Sequence, residues 1–188
     1  MDLTNERRLA MEQLVKQAKQ GDKNSFTEIV LKIKDEAYKV AYCYLQNEQD
    51  SMDAVCSAVE KALLNIEQLK KPQYFKTWFI RITINESQKI LRKNNKVINM
   101  DEEMQGAVTE THTEKQLDRE DNIDLNNSLK DLHPQDRLII HLKYYMGYTL
   151  DEIAGLVNLP EGTVRTRLYK NLKILRKKLE IKEVYNSG

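Results

Sequence analysis

Arg165, Arg167 and Lys170 fall within two helical turns of one another, and they close a segment, residues 149–170, that reads TLDEIAGLVNLPEGTVRTRLYK. Guanidinium and ammonium groups at that spacing suit phosphates and guanine edges, while Glu161 can accept from a cytosine amino group and Thr163 can pair with several base edges. A second cluster lies in YFKTWFIRITINESQKILRK, residues 74–93, where Tyr74, Phe75, Trp78 and Phe79 stand beside Lys76, Arg81, Lys89, Arg92 and Lys93. Planar side chains among cations are what an unstacked strand requires, faces for its bases and charge for its backbone. On an amphipathic helix the same aromatics also serve as core, and for Trp78 and Phe79 both readings stand at this level. Leu69 to Gln73, just before the cluster, could shape a small pocket for an extruded base. His112, His133, His141, Cys43 and Cys56 lie too far apart, and without CxxC spacing, to suggest a metal site or a catalytic relay. The two cysteines are expected in or near the core.

The elements that must position these residues are helical. Thr149 followed by Glu152 forms a capping box, and Ile153, Ala154 and Val157 give the first short helix an inward face. Asn158 stands where the chain turns and tolerates the left-handed conformation; Pro160 restarts the helix. Gly162, Thr163 and Val164 are small enough for two helices to approach, so the segment reads as a helix-turn-helix that places cations toward duplex DNA. Leu168, Leu172, Leu175 and Leu179 continue a buried stripe beyond it. Upstream, Leu129 and Leu132 point inward, Pro134 starts a helix whose apolar face includes Leu138, Ile139, Leu142 and Tyr145, and Gly147 ends it. Nearer the N-terminus, Ile29, Val30, Ile33, Ala37, Val40, Ala41 and Tyr44 recur at helical spacing. Met52, Val55, Ala58, Val59 and Ala62 do the same behind Asp50 and Ser51 as caps. Pro72 interrupts, and Tyr74 to Leu91 makes a third long helix.

In 188 residues with 40% apolar content, low Gly and low Pro, this pattern predicts an all-α chain of two small helical domains. The first spans 12–93, the second 125–182. Between them residues 94–124 lose periodicity and turn to Asn, Asp, Glu, Gln and Thr, a flexible acidic linker whose last third has helical character. It reads either as a plain tether or as an acidic strand that occupies a partner's basic channel. The net charge of +1 hides the division: sixteen cations against thirteen anions in 1–93, three against nine in 94–124, and eleven against seven in 125–188. Seven cations and no anion lie between Arg165 and Lys178. Two basic modules about an acidic connector point to polyanion binding by the modules. No apolar run is long enough for a membrane span, and the opening MDLTNERRLA lacks a secretory core, so a cytoplasmic protein is expected.

In this order the motifs resemble the extracytoplasmic-function (ECF) group of the sigma-70 family of RNA polymerase sigma factors, close to the envelope-stress factors of Gram-positive bacteria. Asp50-Ser51-Met52-Asp53-Ala54-Val55 is similar to the opening of region 2.2, and Phe75, Trp78, Arg81 and Asn85 to regions 2.3 and 2.4. Leu132, Pro134, Arg137, Glu152-Ile153-Ala154, Pro160 to Val164 and Arg167-Leu168 are similar to region 4. The resemblance implies a promoter-specificity subunit, not an enzyme, with no cofactor and no metal. Its implied partners are core RNA polymerase, met through the beta-prime clamp helices and the beta flap, promoter DNA, and a membrane-anchored anti-sigma factor. Asp50, Asp53 and Lys61 would lie at the polymerase surface. Leu69, Lys70, Lys71, Tyr74, Phe75, Trp78, Arg81 and Asn85 would serve the minus-ten element. Glu161, Thr163, Arg165, Arg167, Lys170 and Arg176 would serve the minus-thirty-five element. The chain departs from the family's habit at Cys56 and Ser57, where Gln-Glu is common, at Asn158 for a turn glycine, and at Thr83 for Ala. The rival reading is a stand-alone helix-turn-helix regulator.

Overall fold

The computed structural model describes the backbone of residues 3–102 and 129–186, with side chains at 6, 8–95 and 129–178. Among these residues every regular element is helical, and the chain divides into two compact units, Met1–Ile90 and Leu91–Gly188.

The first unit is built from α1 (Leu3–Lys19), α2 (Lys23–Leu45), α3 (Glu48–Asn65) and the start of α4 (Phe75–Glu102), with short 3-10 turns at Ile66–Gln68 and Pro72–Tyr74. Gly21, at φ 94°, makes the corner after α1, a conformation that costs a glycine nothing. Asp22 then caps α2, accepting from the Asn24 amide and the Ser25 hydroxyl. The apolar stripe of α2 is buried as its spacing predicts, with Val30 at its half-exposed edge. Ala37 and Ala41 on α2 and Ala54, Ala58 and Ala62 on α3 are fully buried. Such small side chains let the axes of these two packed helices approach closely. Phe75, Phe79, Ile80 and Ile84 supply the α4 side of the core. Each such burial removes enough apolar area to contribute about 1.5–3 kcal/mol before entropy is counted.

The helix over residues 48–65 starts earlier than Asp50 and Ser51 suggest. Asn47 is its cap, accepting from the Asp50 amide, while Ser51 is buried and donates to the Asn47 carbonyl. Met52 and Cys56, expected inside, are exposed, because the alanine stripe takes the inward face of α3. Two helices are longer than the periodicity implies. α1 begins at Leu3, although its first residues are polar. α4 continues to Glu102, into the segment read as linker, since Asn residues weaken a helix without breaking it and no Pro or Gly intervenes from Phe75 to Glu102. The rest of the predicted acidic linker lies outside the described residues.

The second unit contains α5 (Pro134–Tyr144), α6 (Leu150–Val157) and α7 (Glu161–Asn186). His133 caps α5 and Pro134 takes its first position, where a missing amide is harmless. Arg137 is buried, and its guanidinium donates to the Lys130 and Leu132 carbonyls at 2.9 and 3.4 Å, which ties the incoming chain to α5. Gly147 (φ 72°) turns the chain toward α6, and the Tyr148 amide returns to the Leu142 carbonyl at 3.0 Å. Tyr145, read from sequence as part of the buried face, is exposed and stacks on His141 instead.

Candidate nucleic-acid interface

The turn between α6 and α7 forms as its residues dictate. Thr149 and Glu152 satisfy each other's amides, at 3.2 Å from the Glu152 amide to the Thr149 hydroxyl and 2.8 Å from the Thr149 amide to the Glu152 carboxylate. Asn158 adopts φ 55°, ψ 50°, the left-handed C-cap of α6. Pro160 sits one position outside α7, and its carbonyl accepts from the Thr163 and Val164 amides. Val164, fully buried, is the residue that seats α7. Gly162 is exposed with open space where a side chain would be, so its smallness is not what allows the helices to approach.

Outward-facing residues of α7 include Thr163, Arg165, Thr166, Tyr169, Lys170, Lys173, Arg176 and Lys177, with Glu161 half-exposed at its start. The Arg165 guanidinium rests on the Glu161 carboxylate at 2.7 Å, one turn back. Tyr169, 63% exposed among these cations, was not singled out by sequence reasoning. Its place one turn beyond Arg165 was legible there.

Arg167 is placed differently from Arg165. It is turned toward α5, where its Nε donates to Asp136 at 2.5 Å and a terminal nitrogen to Gln135 at 2.6 Å. These two contacts tie α7 to α5 and engage two of the three guanidinium nitrogens. Asn171, which is buried, donates to the Arg167 carbonyl one turn back within α7. Lys178 pairs with Asp131 at 2.8 Å.

In the first unit, the loop after α3 and the exposed stripe of α4 share one region of chain. Leu69 is 6% exposed and Phe75 1%, so both hold the loop from within rather than presenting a face to a base. Phe75 and Phe79 stack with centroids 6.0 Å apart, and Trp78, half-buried, tilts against Phe75 at 5.7 Å. Phe79 is thus core, and Trp78 keeps part of its surface outward. Lys70, Lys71 and Tyr74 are exposed, with the Lys71 ammonium 5.9 Å from the Tyr74 ring centroid. Arg81 and Asn85, four apart on α4, are exposed on the same stripe. Lys76 pairs with Glu36 on α2 at 2.6 Å, which diverts it from the candidate surface.

The exposed face of α3 carries Met52, Asp53, Cys56, Glu60, Leu63 and Leu64, a mixture of acid and apolar groups. Asp53 accepts from Gln49, and Asp50 is half-exposed in the first turn. Lys61 reaches Glu86 of α4 at 2.6 Å, and Lys89 reaches the other oxygen of that carboxylate at 2.9 Å. Burial pushes the Glu86 carboxyl up, and the hydrogen bonds and charges of Lys61 and Lys89 more than offset it, leaving its pKa below the ordinary glutamate value. This triad joins α3 to α4 next to Asn85. Sequence reasoning missed it because Glu86 and Lys61 are remote in the chain. Among the described residues no cluster of His, Cys, Asp or Glu could hold a metal ion, and no helix is long and apolar enough to cross a membrane.

Two family models match the chain: sigma-70 region 2 over residues 29–97 and sigma-70 region 4 over 128–177. The RNA polymerase sigma factor SigV of Bacillus subtilis is 32% identical over 143 residues, covering 76% of this chain and 84% of that protein. The ECF RNA polymerase sigma factor SigW of the same organism is 31% identical over 176 residues, covering 88% and 94%. Among solved structures, the fold is similar to that of the sigma factor RpoE from Bartonella quintana, in complex with the anti-sigma factor NepR. There the TM-score is 0.69 at 19% identity over 83% of this chain and 97% of that one. CnrH in complex with the cytosolic domain of CnrY gives a TM-score of 0.65 at 20% identity, covering 92% and 98%.

Proposed function

The chain belongs to the ECF group of the sigma-70 family, and from that premise we propose how its surfaces divide the work of starting transcription. It binds core RNA polymerase, reads the minus-ten and minus-thirty-five elements of a promoter and catalyses no covalent step. The free energy for strand opening comes from binding. The exposed face of α3, with Asp50 and Asp53, meets the beta-prime clamp helices, while the second unit meets the beta flap. Lys70, Lys71, Tyr74, Trp78, Arg81 and Asn85 form the minus-ten surface, supported from beneath by Leu69 and Phe75. Glu161, Thr163, Arg165 and Lys170 approach the minus-thirty-five element in the major groove, Arg176 steadies the backbone, and Arg167 holds the reading helix in place.

The observation that carries this reading is the exposed, cationic, outward face of α7 behind a correctly capped turn, in a chain that also contains a region 2 module. A stand-alone regulator would have no use for that module. Solved relatives in complex with anti-sigma factors support an equivalent inhibitor for this chain. By resemblance to the envelope-stress factors, that inhibitor is membrane-anchored and released by a cell-envelope stress signal, and the sigma factor acts in the cytoplasm. The direct test is run-off transcription with purified core polymerase on a randomised promoter library. Enrichment of templates sharing two spaced elements is expected. A library left unselected would remove the reading.

A further inference from the structure

The loop between α3 and α4 is braced by a helix outside the segment that the region 2 family model matches. α1 packs against both 3-10 turns, and its last residue, Lys19, sends its ammonium 2.6 Å to the Leu69 carbonyl, fifty positions along the chain. That bond is charge-assisted and part-buried, the kind that fixes geometry most strongly. The Leu69 amide is engaged as well, donating to the Ile66 carbonyl at 3.1 Å. With both polar groups of Leu69 held, only Lys70 and Lys71 separate the pinned position from Pro72, whose ring fixes its own φ. The Tyr74 amide then bonds the Lys71 carbonyl at 3.1 Å, so the far side is closed too. The exposed side chains of Lys70, Lys71 and Tyr74 leave a frame whose near anchor is the Lys19 bond.

We propose that Lys19 is a positioning residue for minus-ten recognition: by holding the Leu69 carbonyl it presets the loop that presents Lys70, Lys71 and Tyr74 to an extruded base. The proposal rests on the assignment of that loop and Asn85 to the minus-ten element. An anchored loop loses less conformational freedom when it closes on a base than a free one does, and the gain is realised only for a base that fits. Lys19 therefore governs selectivity at one promoter position rather than overall affinity.

The test is run-off transcription by the full chain with core polymerase, on templates carrying each of the four bases at each minus-ten and minus-thirty-five position. K19M keeps the aliphatic stem and removes the donor. It is expected to reduce the preference for the cognate base at one minus-ten position by about tenfold, the scale of one lost hydrogen bond to a charged group. Preferences at the minus-thirty-five element and polymerase affinity stay within about twofold. K19R, which can donate to the same carbonyl, restores the ratio. Because a ratio of products is independent of the folded fraction, general destabilisation of K19M does not imitate the result. Unchanged ratios in K19M overturn the proposal. K71A and N85A are run beside it: if they shift minus-ten preference and K19M does not, only the proposal fails. If all three leave every ratio unchanged, the loop assignment fails with it.

Discussion

At the residue scale, the two arginines of the reading helix separate into different jobs. Arg165 is exposed and Arg167 spans to α5. Arg167→Ala should lower the stability of the second unit by about 1–2 kcal/mol, since it leaves Asp136, itself largely covered, without its cation. Arg165→Ala should leave thermal unfolding unchanged while reducing transcription from the cognate promoter. Equal melting curves for the two variants would refute the separation. The Lys61–Glu86–Lys89 triad gives a second prediction. A carboxylate with a lowered folded pKa stabilises fully above the ordinary glutamate value, and that contribution disappears as pH falls through the ordinary value toward the folded one. Unfolding of the first unit followed from neutral to acid pH should therefore show an acid-side loss that E86Q flattens; an unaltered profile in E86Q would place the pH dependence elsewhere. The residue types behind these pairs were visible in the sequence, but the pairings were not. Asp136 lies thirty-one positions from Arg167, and no local pattern announces a partner at that distance. Thr83 is simpler: its buried hydroxyl bonds the Phe79 carbonyl of its own helix at 3.1 Å, so exchange with the family's usual alanine breaks no hydrogen bond between helices.

At the element scale, legibility followed locality. The α6 cap, the turn at Asn158 and the start of α5 at Pro134 are decided by residues a few positions apart, and all were readable, whereas the His133 cap was not. The ends of α1, α3 and α4 were not, because each depends on which face finds a neighbour or on how far a helix runs without a breaker. α3 shows the difficulty most plainly. Two stripes compete on it, and the alanines, not Met52, go inside because packing against α2 rewards close approach over side-chain size. The left-handed turn offers a test. Asn158→Gly should be neutral to within about 0.5 kcal/mol, whereas Asn158→Val should cost about 1–2 kcal/mol in the second unit, because a β-branched side chain crowds the backbone at positive φ. Chemical denaturation of the two variants measures the difference, and a tolerated valine would mean that the turn relaxes.

At the scale of the whole molecule, charge is arranged by segment. The sixteen cations and thirteen anions of 1–93, and the eleven and seven of 125–188, flank a stretch with three and nine. A chain so arranged should bind naked promoter DNA weakly at physiological salt, leaving recognition dependent on polymerase. Replacing the Asp and Glu residues of 101–124 by their amides should raise affinity for DNA of any sequence and steepen its salt dependence, as measured by fluorescence anisotropy across a salt series. An unchanged titration would show that the acidic stretch does not offset the modules. The order of modules was legible in the sequence because each carries its own dense motif.

The contact between Glu161 and Arg165 has a consequence for how the arginine would approach DNA. A guanidinium held through one of its nitrogens does not arrive at the double helix as an idle hand: its other N–H groups stay available, and the grip it keeps limits where they point. If Arg165 meets a base pair as proposed, the glutamate acts as a stay that removes part of the ordering cost of that contact.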